Sequence, residues 1–450
     1  MKRVYVHTFG CQMNDYDSGK IRALLETDGY EPTEEIEQAD LIVVNTCSIR
    51  EKAEDKLHGF LGRARAIKRR RGAADAEDRV LLAVAGCVAQ QEGEALRTRY
   101  KDLDMVFGPD AVSRVVEIVR QAAHEPVVDT AFLDAEDYVF ADQLDPRAAS
   151  QVGAFVTIQK GCDNKCTFCI VPATRGAELS RPADQILAEV RALADRGVRE
   201  ITLIGQNVNS YGLKVPGERT FAQLLYAVAE VPGVERIRFT TSHPRDMGPD
   251  VVQAFRDLPQ LCSHLHLPVQ SGSDAVLRRM KRFYTRDRYL ALVDELRQAR
   301  PDLALTTDFI LGFPGETDRD FEDTLDLMAA VRFHNSFSFA YSPRPGTPAL
   351  TLLDRGQEVP ADVALARLQR LQARQRQLSV EANQAMVGGV FPVLVEGWSR
   401  HDEGVVCGRT GSFKMINFPG DPSLFGQVVE VVVTRAFANS LKGEQARLAG

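Results

Sequence analysis

Short apolar runs alternate with longer polar, helix-compatible stretches along residues 1–125. Four of these runs have the length of buried strands and lie at residues 4–7, 41–45, 80–85 and 104–107. Strands that alternate with helices in this way are typical of a doubly wound parallel sheet, so we predict an α/β domain here. Residues 126–150 carry several acids, two prolines and no regular period, and we interpret them as a linker.

A second series of strand and helix patterns occupies residues 151–385. Its apolar runs lie at residues 155–159, 200–204, 236–240, 264–267, 304–310 and 336–340. Six such units in one series fit a partial (β/α)6 barrel of parallel strands. Periodicity alone does not separate this barrel from a second open sheet, so both interpretations stay open. Residues 361–385 have the amphipathic pattern of a connecting helix.

The pattern changes from residue 390 to short strands separated by glycine-rich turns. These strands are predicted at residues 390–395, 405–408, 415–418 and 427–435. We therefore predict a small antiparallel β-barrel over residues 386–450, an architecture that often binds oligonucleotides. A barrel with a purely structural role is the alternative.

Composition narrows the class of protein. The 450 residues include 55 Lys and Arg against 62 Asp and Glu, so the net charge is −7 and the chain is not a polycation. Any nucleic-acid binding must therefore use local patches. The longest apolar run, around residues 80–89, is too short to span a bilayer, which predicts no membrane association. A charged pair rather than an apolar signal follows Met1, so we expect a cytoplasmic protein.

Eight cysteines in such a chain indicate metal binding or catalysis rather than disulfides. Cys11, Cys47 and Cys87 each follow a predicted strand of the first domain. Because ligands bind beyond the carboxyl ends of parallel strands, we expect these three cysteines to share one site. Three separate, inert thiols are the alternative. Cys262 and Cys407 have no cysteine neighbours in the sequence and are interpreted as inert core thiols.

The strongest local motif is C-x3-C-x2-C, formed by Cys162, Cys166 and Cys169 directly after the first strand of the second series. A structural zinc site usually has four ligands, and no fourth Cys or His lies nearby. Three thiolates on a 4Fe–4S cluster leave one iron open to an external ligand. Such an iron can chelate the amino and carboxylate groups of S-adenosylmethionine (SAM). The spacing, the aromatic Phe168 and the strand-end position together resemble the radical SAM superfamily.

Further segments resemble the methylthiotransferase family within that superfamily, and the resemblance covers essentially the whole chain. In the first domain they are TFGCQMN at 8–14, NTCSIREKAEDK at 45–56 and GC at 86–87. In the second domain they are GQNVNSY at 205–211, RFTTSHP at 238–244, HLPVQSGS at 266–273 and DFILGFPGET at 308–317. The C-terminal barrel resembles the TRAM domain, an RNA-binding module.

One segment is specific to a branch of the family, and two features depart from the family pattern. The stretch SIREKA at residues 48–53 is similar to the branch that acts on tRNA. Ala173 stands where the family has an aromatic residue, and an insertion at residues 72–78 lengthens the gap before Cys87. Neither departure removes a cysteine of the two groups.

The resemblance implies two 4Fe–4S clusters and SAM as cofactors. Cys162, Cys166 and Cys169 would hold the catalytic cluster, at which SAM is cleaved to a 5′-deoxyadenosyl radical. The three cysteines of the first domain would hold a second cluster whose open iron carries the inserted sulfur.

The resemblance also implies a radical SAM transferase that adds a methylthio group to C2 of N6-isopentenyladenosine at position 37 of tRNA. One alternative is a methylthiotransferase acting on an aspartate of a small-subunit ribosomal protein. Another is a non-catalytic iron–sulfur carrier with an RNA-binding tail, which would not need a SAM-binding barrel. The implied partners are tRNA, through its anticodon loop, and an electron donor such as flavodoxin or ferredoxin. The sulfur donor stays unidentified, and we expect a monomer.

Residues that follow strands of the second domain or flank its cysteine motif are candidates for SAM contacts. They are Phe168, Gly205, Gln206, Asn207, Ser242, Gln270 and Phe313. For residues 205–207, an ordinary glycine-containing βα turn is the alternative. His243, His264 and His266 are interpreted as structural, because radical chemistry needs no general base. Arg175 and Arg181 are predicted to bind substrate phosphate or SAM, with a solvated ion pair as the alternative.

Two regions are candidates for RNA contacts. Residues 50–71 carry nine Lys or Arg against three acids, a run that is more often a solvated helix surface than a binding patch. Residues 386–450 have six basic and six acidic residues, so net charge does not indicate RNA binding there. Its cationic and aromatic side chains can still form a phosphate-and-stacking surface. The residues are Trp398, Arg400, Arg409, Phe413, Lys414, Arg435 and Lys442.

Overall fold

The computed structural model describes residues 2–48, 51–74, 78–400 and 402–446. Residues 49–50, which belong to both the tRNA-branch stretch and the basic region, lie outside the described residues, as do residues 75–77 of the insertion. Among the described helices, none has the length and apolar character that crossing a bilayer requires.

The first domain is a parallel sheet with helices on both faces. Its strands are β1 Lys2–Phe9, β2 Tyr30–Pro32, β3 Leu41–Thr46, β4 Leu81–Gly86, β5 Met105–Phe107 and β6 Val127–Asp129. Its helices are α1 Gln12–Thr27, α2 Glu51–Ala74, α3 Cys87–Glu92, α4 Glu94–Arg99 and α5 Val115–Ala122.

The strand order in this sheet is β2-β1-β3-β4-β5-β6, with every pair parallel. Strands β3 and β4 are buried throughout, as strands covered on both faces are. Apolar side chains of α1 and α5 pack on one face and those of α2 and α4 on the other. The predicted doubly wound sheet is confirmed. The order reverses between β1 and β3, and ligands of open α/β sheets bind at such a switch point.

The second domain contains the longer βα series. Its strands are β7 Gly153–Thr157, β8 Gln159–Lys160, β9 Leu179–Ser180, β10 Glu200–Ile204, β11 Arg236–Phe239, β12 His264–His266, β13 Ala304–Leu311 and β14 Asn335–Ala340. Its helices are α6 Val171–Arg175, α7 Ala183–Asp195, α8 Phe221–Ala229, α9 Pro249–Asp257, α10 Asp274–Arg279, α11 Arg286–Ala299, α12 Asp318–Val331, α13 Leu350–Leu353 and α14 Ala361–Gln384.

Strands β7, β10 and β11 form one parallel sheet, and β12, β13 and β14 form another. A parallel bridge between Ile237 and Leu261 connects the two sheets. The resulting order follows the chain without reversal, as in a barrel wall and unlike a doubly wound sheet. The partial (β/α)6 barrel is therefore confirmed and the open-sheet alternative is excluded. Outward-facing residues of these strands pack against the surrounding helices in one large apolar core.

The last part of the chain is a closed barrel of β15 Val390–Trp398, β16 Val405–Thr410, β17 Met415–Pro419, β18 Val428–Ala436 and β19 Leu441–Gln445. Its interior is a small apolar cluster. The antiparallel prediction holds except where β17 pairs with β19, because that pair is parallel. Four strands, β2, β6, β9 and β19, were not predicted, and β6 lies inside the segment that we interpreted as a linker.

Two buried arginines join this C-terminal barrel to the partial barrel. Arg238 donates to the carbonyl oxygens of Gly411 and Thr410, at 2.9 and 2.8 Å. Arg236 donates to the carbonyl oxygens of Pro392, at 2.8 Å, and of Arg409. The turn between β16 and β17 is therefore held at the beginnings of strands β11 and β12, at the opposite end of the strands from the cysteine motif.

Candidate functional site

Cys11, Cys47 and Cys87 meet at the switch point of the first sheet, and we call them the N-terminal thiol group. Each lies just beyond the end of β1, β3 or β4. The Cys47 thiol lies within hydrogen-bonding reach of the sulfur atoms of both Cys11 and Cys87. The structure thus brings together three cysteines that are far apart in the sequence, rather than leaving them as separate thiols.

Two asparagines hold the loops that carry these thiols. Asn14 Oδ1 accepts a hydrogen bond from the backbone N–H of Cys11 at 3.4 Å, and it lies 3.3 Å from the Cys11 sulfur, which donates to it when protonated. Its Nδ2 donates to Asn45 Oδ1 at 3.0 Å, and Asn45 Nδ2 donates back to the Asn14 carbonyl at 2.9 Å. Gly86 has a φ of +91°, and a Cβ there would clash with the Asn45 side chain. Only glycine fits this position before Cys87.

Hydrogen bonding and charge favour thiolates at two of the three positions. The pKa of Cys11 is lowered to about 6 and that of Cys87 to about 7, mainly because the Cys47 thiol can donate its hydrogen bond to either sulfur. The positive charge of Arg175 lowers both further. The same hydrogen bonds raise the pKa of Cys47, which is the donor. Thiolates are the form in which cysteine binds metal.

Cys162, Cys166 and Cys169, the barrel thiol group, lie in the loop that follows β8. Gly161 begins this loop with a φ of +70°, and a Cβ there would clash with the Ala177 carbonyl. The loop is closed by a hydrogen bond from Cys162 N–H to the Gly176 carbonyl at 3.2 Å. Burial raises the pKa of Cys162 to about 11 and of Cys169 to about 12.

Both groups fit iron–sulfur clusters better than a single metal ion. Each offers three cysteine sulfurs, the ligand type that 4Fe–4S clusters take. Three thiolates would leave one iron of a cluster open to an external ligand.

Unpartnered polar atoms lie at the ends of β10 and β11, where SAM contacts were predicted. In the described part of the chain, Gln206 Oε1, Asn207 Oδ1 and Ser242 Oγ are buried without a hydrogen-bond partner. The Asn207 side chain is oriented by its Nδ2, which donates to Asp246 at 2.7 Å. Buried polar atoms are normally paired, so this region fits a polar ligand. Gly205 packs closely against Gln159.

The other residues that we predicted to contact SAM lie in apolar packing or in backbone pairing of the partial barrel. Phe313 is fully buried with Val276, Met280 and Ala349, and Phe168 packs against this apolar cluster. Gln270 has a φ of +76°, and its backbone bridges to β13 through hydrogen bonds with Asp308 and Ile310. Phe168 therefore connects the barrel thiol group to the apolar packing beneath it, while Phe313 lies inside that packing.

Comparisons with known proteins cover all three domains. The Radical SAM superfamily model matches residues 156–328, the TRAM domain model residues 384–445, and the model "Uncharacterized protein family UPF0004" residues 3–108. The tRNA-2-methylthio-N(6)-dimethylallyladenosine synthase of Methylococcus capsulatus is 50% identical over 447 residues, with 98% of this chain and 95% of the relative covered. The protein of the same name from Geobacter metallireducens is 49% identical, with 99% and 98% covered.

The chain belongs to this tRNA-2-methylthio-N(6)-dimethylallyladenosine synthase family. Solved structures with lower identity share its fold. The radical SAM methyltransferase TsrM from Kitasatospora setae, solved with cobalamin and a 4Fe-4S cluster, is 13% identical with a TM-score of 0.56, and the match covers 90% of this chain and 81% of that one. The cobalamin-dependent radical SAM enzyme OxsB is 12% identical with a TM-score of 0.54, over 84% and 62%.

Arg282 is a site residue of this family member that we did not predict. Its Nη1 donates to the Cys166 sulfur at 3.4 Å, and its Nη2 donates to the Pro268 carbonyl at 2.7 Å. Tyr284 supports it, because its hydroxyl accepts from Arg282 Nε at 3.1 Å and donates to the Val269 carbonyl at 2.8 Å. The chain has many arginines, so nothing local in the sequence singles this one out.

Arg175 and Arg181 do not have the roles that we predicted. Arg175 is buried and donates to Asp17 at 2.7 Å, and its positive charge lowers the pKa of the nearby Cys87 thiol. Arg181 is fully buried against Glu189. Arg175 therefore forms a buried ion pair between the two domains, and Arg181 forms one within the partial barrel. Neither guanidinium is solvated or open to a phosphate.

The three histidines are structural in this arrangement. The His243 ring accepts a hydrogen bond from Arg245 N–H at 3.2 Å, and burial lowers its pKa to about 2. His264 stacks on Phe413 with centroids 5.0 Å apart, and burial lowers its pKa. His266 Nδ1 is within 3.0 Å of Thr306 Oγ1. Of the remaining thiols, Cys262 is buried and Cys407 donates to the Trp398 carbonyl at 3.4 Å.

The basic region of α2 is largely neutralised by acids of its own domain, which disfavours an RNA-backbone patch there. The ion pairs are Arg63–Glu37, Arg65–Asp102, Lys68–Asp104, Arg69–Asp102, Arg71–Asp40 and Arg71–Asp78.

The C-terminal barrel instead exposes aromatic side chains beside cations. Trp398 and Phe413 are 49% and 43% exposed, and Arg409 lies 4.9 Å from the Phe413 ring. Arg435 lies over Phe437, at 4.9 Å. Lys414 differs from the prediction, because its Nζ lies 3.5 Å from the His334 carbonyl and burial lowers its pKa to about 8.

Proposed function

We propose that this chain is a radical SAM transferase that adds a methylthio group to C2 of N6-isopentenyladenosine at position 37 of tRNA. The observation that carries the proposal is the pair of three-thiol groups in adjoining domains, connected through Arg175. With the clusters and SAM bound, reductive cleavage of one SAM would supply the radical that removes hydrogen from C2, another SAM would supply the methyl group, and the second cluster would supply the sulfur. The names of the relatives favour tRNA over a ribosomal protein as the substrate.

The chain's own residues would bind and orient the cofactors. Cys162, Cys166 and Cys169 would hold one 4Fe–4S cluster, and the N-terminal thiol group would hold the other. Gln206 and Asn207 have oxygen atoms free to accept hydrogen bonds, which suits the methionine amino group of SAM. Ser242 would contribute a hydroxyl, and Arg282 would offset negative charge at Cys166.

An apolar strip on the inner face of the partial barrel would receive the isopentenyl group. Phe337 and Phe339 on β14 are 49% and 44% exposed. They pair across the sheet with Asp308 and Ile310, and Ile310 packs against the same buried cluster as Phe168. The strip therefore extends from the cysteine loop along the inner face. A five-carbon apolar substituent is stabilised by about 0.8 kcal/mol for each carbon buried.

The C-terminal barrel would bind the RNA. Trp398 can stack on a base, and Arg435 can contact the backbone. An adenine of the anticodon loop can be splayed out at low cost, which allows it to enter the partial barrel. We further propose a cytoplasmic monomer that takes its electrons from a flavodoxin or ferredoxin.

The test is modification of RNA by the full-length, anaerobically reconstituted protein with SAM and a reductant. Anticodon stem-loops with and without the isopentenyl group are compared, with the small-subunit ribosomal protein as a competing substrate. Mass spectrometry should find the methylthio group on the isopentenylated RNA. Methylthiolation of the protein and not of the RNA would contradict the proposal.

A further inference from the structure

One residue of the partial barrel reaches the thiol group of the other domain. Arg175 ends helix α6, six residues after Cys169. Helix α6 packs against α3, which begins at Cys87, and the Arg175 guanidinium lies close enough to the Cys87 and Cys11 sulfurs for its charge to lower the pKa of both thiols. Only 6% of its side chain is exposed, so water screens this charge weakly. A single side chain therefore connects the loop of one thiol group to the sulfur atoms of the other.

A carboxylate of the first domain fixes the direction of this side chain. Asp17 lies on α1, two turns after Cys11, and accepts a hydrogen bond from Arg175 Nη2 at 2.7 Å. A second buried pair ties the same interface, because Lys160, two residues before Cys162, contacts Asp110 at 2.6 Å. The two ends of the cysteine loop are thus each attached to the N-terminal domain by an ion pair.

We propose that Arg175 is a residue that the partial barrel supplies to the cluster at the N-terminal thiol group, the auxiliary cluster, where its positive charge stabilises the reduced form. This inference rests on the proposed binding of a cluster at Cys11, Cys47 and Cys87. Reduction adds one negative charge to a cluster that thiolates already make anionic. A buried cation beside two of those sulfurs stabilises the added charge. Replacing Arg175 with a neutral residue should therefore lower the reduction potential of this cluster.

The test measures that potential in the full-length chain. Cys162, Cys166 and Cys169 are replaced with alanine so that only the auxiliary cluster is present, and its reduction is followed by electron paramagnetic resonance during redox titration. In Arg175→Gln, we expect the equilibrium constant for one-electron reduction to fall about tenfold, which is ~59 mV for a one-electron couple. Arg175→Lys retains the charge and should stay near the parent value.

Two further variants separate charge from folding. Arg181→Gln is the matched control, since it removes an equally buried arginine that pairs with Glu189. Asp17→Asn leaves Arg175 without its counter-charge and should raise the potential. If the Arg175→Gln variant does not retain about four irons per chain, the reduction potential of the Asp17→Asn variant decides whether the proposal holds. An unchanged potential in Asp17→Asn, or equal shifts in Arg175→Gln and Arg181→Gln, would overturn the proposal.

The outcome is independent of which RNA is the substrate. The potential is read without tRNA and without turnover, so this inference can fail while the isopentenylated stem-loop is still methylthiolated. Conversely, a chain with no second cluster in any variant would contradict the proposed function itself.

Discussion

Arg238→Gln should weaken the attachment of the C-terminal barrel to the partial barrel. Arg238 is 3% exposed and makes two charge-assisted hydrogen bonds to the carbonyls of Gly411 and Thr410. Its guanidinium also pairs with Glu200 at 3.0 Å and lies 4.8 Å from the Phe413 ring. The substitution would leave a buried carboxylate and two carbonyls without their cation.

The magnitude follows from these contacts. Hydrogen bonds to a charged group contribute about 1.5–3 kcal/mol each, and removing one partner of a buried ion pair costs about 3–5 kcal/mol. Glutamine keeps one donor group, so we expect a loss of about 3 kcal/mol in the free energy of unfolding of the C-terminal barrel. The double variant Glu200→Gln/Arg238→Gln should recover part of this loss, because it leaves no lone charge.

The chain's single tryptophan makes this measurable. Trp398 lies in the C-terminal barrel, against Phe425 at 5.6 Å, so urea unfolding followed by its fluorescence reports on that domain. Arg435→Gln, at an arginine on the same barrel that stacks on Phe437, is the control. If Arg238→Gln lowers the urea midpoint no more than this control does, the hydrogen bonds of Arg238 to Gly411 and Thr410 do not hold the domains together.

Three other predictions address the clusters, the substrate and pH. Reconstituted protein should bind on the order of eight irons per chain. Replacing Cys11, Cys47 and Cys87 with alanine should halve the iron content and abolish methylthio transfer, while SAM cleavage stays intact. Unchanged iron content in this variant would refute the second cluster. Phe339→Ala should reduce the preference for isopentenylated over unmodified stem-loops, with Phe283→Ala, at a 63% exposed position, as the control that should not. Burial lowers the pKa of Lys414 from 10.5 to about 8. Between pH 8 and pH 10.5 the unfolded chain therefore keeps a proton on Lys414 that the folded chain has lost. Stability relative to Lys414→Met should therefore rise from pH 8 to pH 10.5, and a flat difference in calorimetry would show that the amine is solvated.

The clearest strand predictions in the first sheet are the strands that are buried on both faces. Strand β4, Leu81–Gly86, is a continuous apolar run because helices cover both sides of its sheet. The four missed strands lack this signal, and β9, Leu179–Ser180, has only two residues. Strands β2 and β6 have three residues each and lie at the two edges of the first sheet. Strand β19, Leu441–Gln445, is mostly polar, and the backbone pairing that closes the barrel defines it rather than its composition.

The six cysteines could be selected from the sequence because each sits at a position defined by chain topology. Three follow strands of one parallel sheet, and three have the spacing of a single loop. The side chains around these cysteines cannot be identified by strand position or by motif spacing. Asn14 and Asn45 are 31 residues apart, and Arg282 comes from a loop 116 residues after Cys166. Contacts of this kind depend on tertiary packing, which local patterns do not encode.

Arg175 shows most clearly that contacts between domains can give a residue partners that its position in the sequence does not predict. Its place soon after the cysteine motif predicted a ligand contact within its own domain, yet its partners Asp17 and Cys87 belong to the other domain. A buried ion pair is weak support for stability, because removing both charges from water costs several kcal/mol per ion. Apolar residues of similar size would stabilise the same interface at least as well. A charged pair beside two thiol groups is better explained by what it does there, which is to place a positive charge at the sulfur atoms and fix the geometry between the domains.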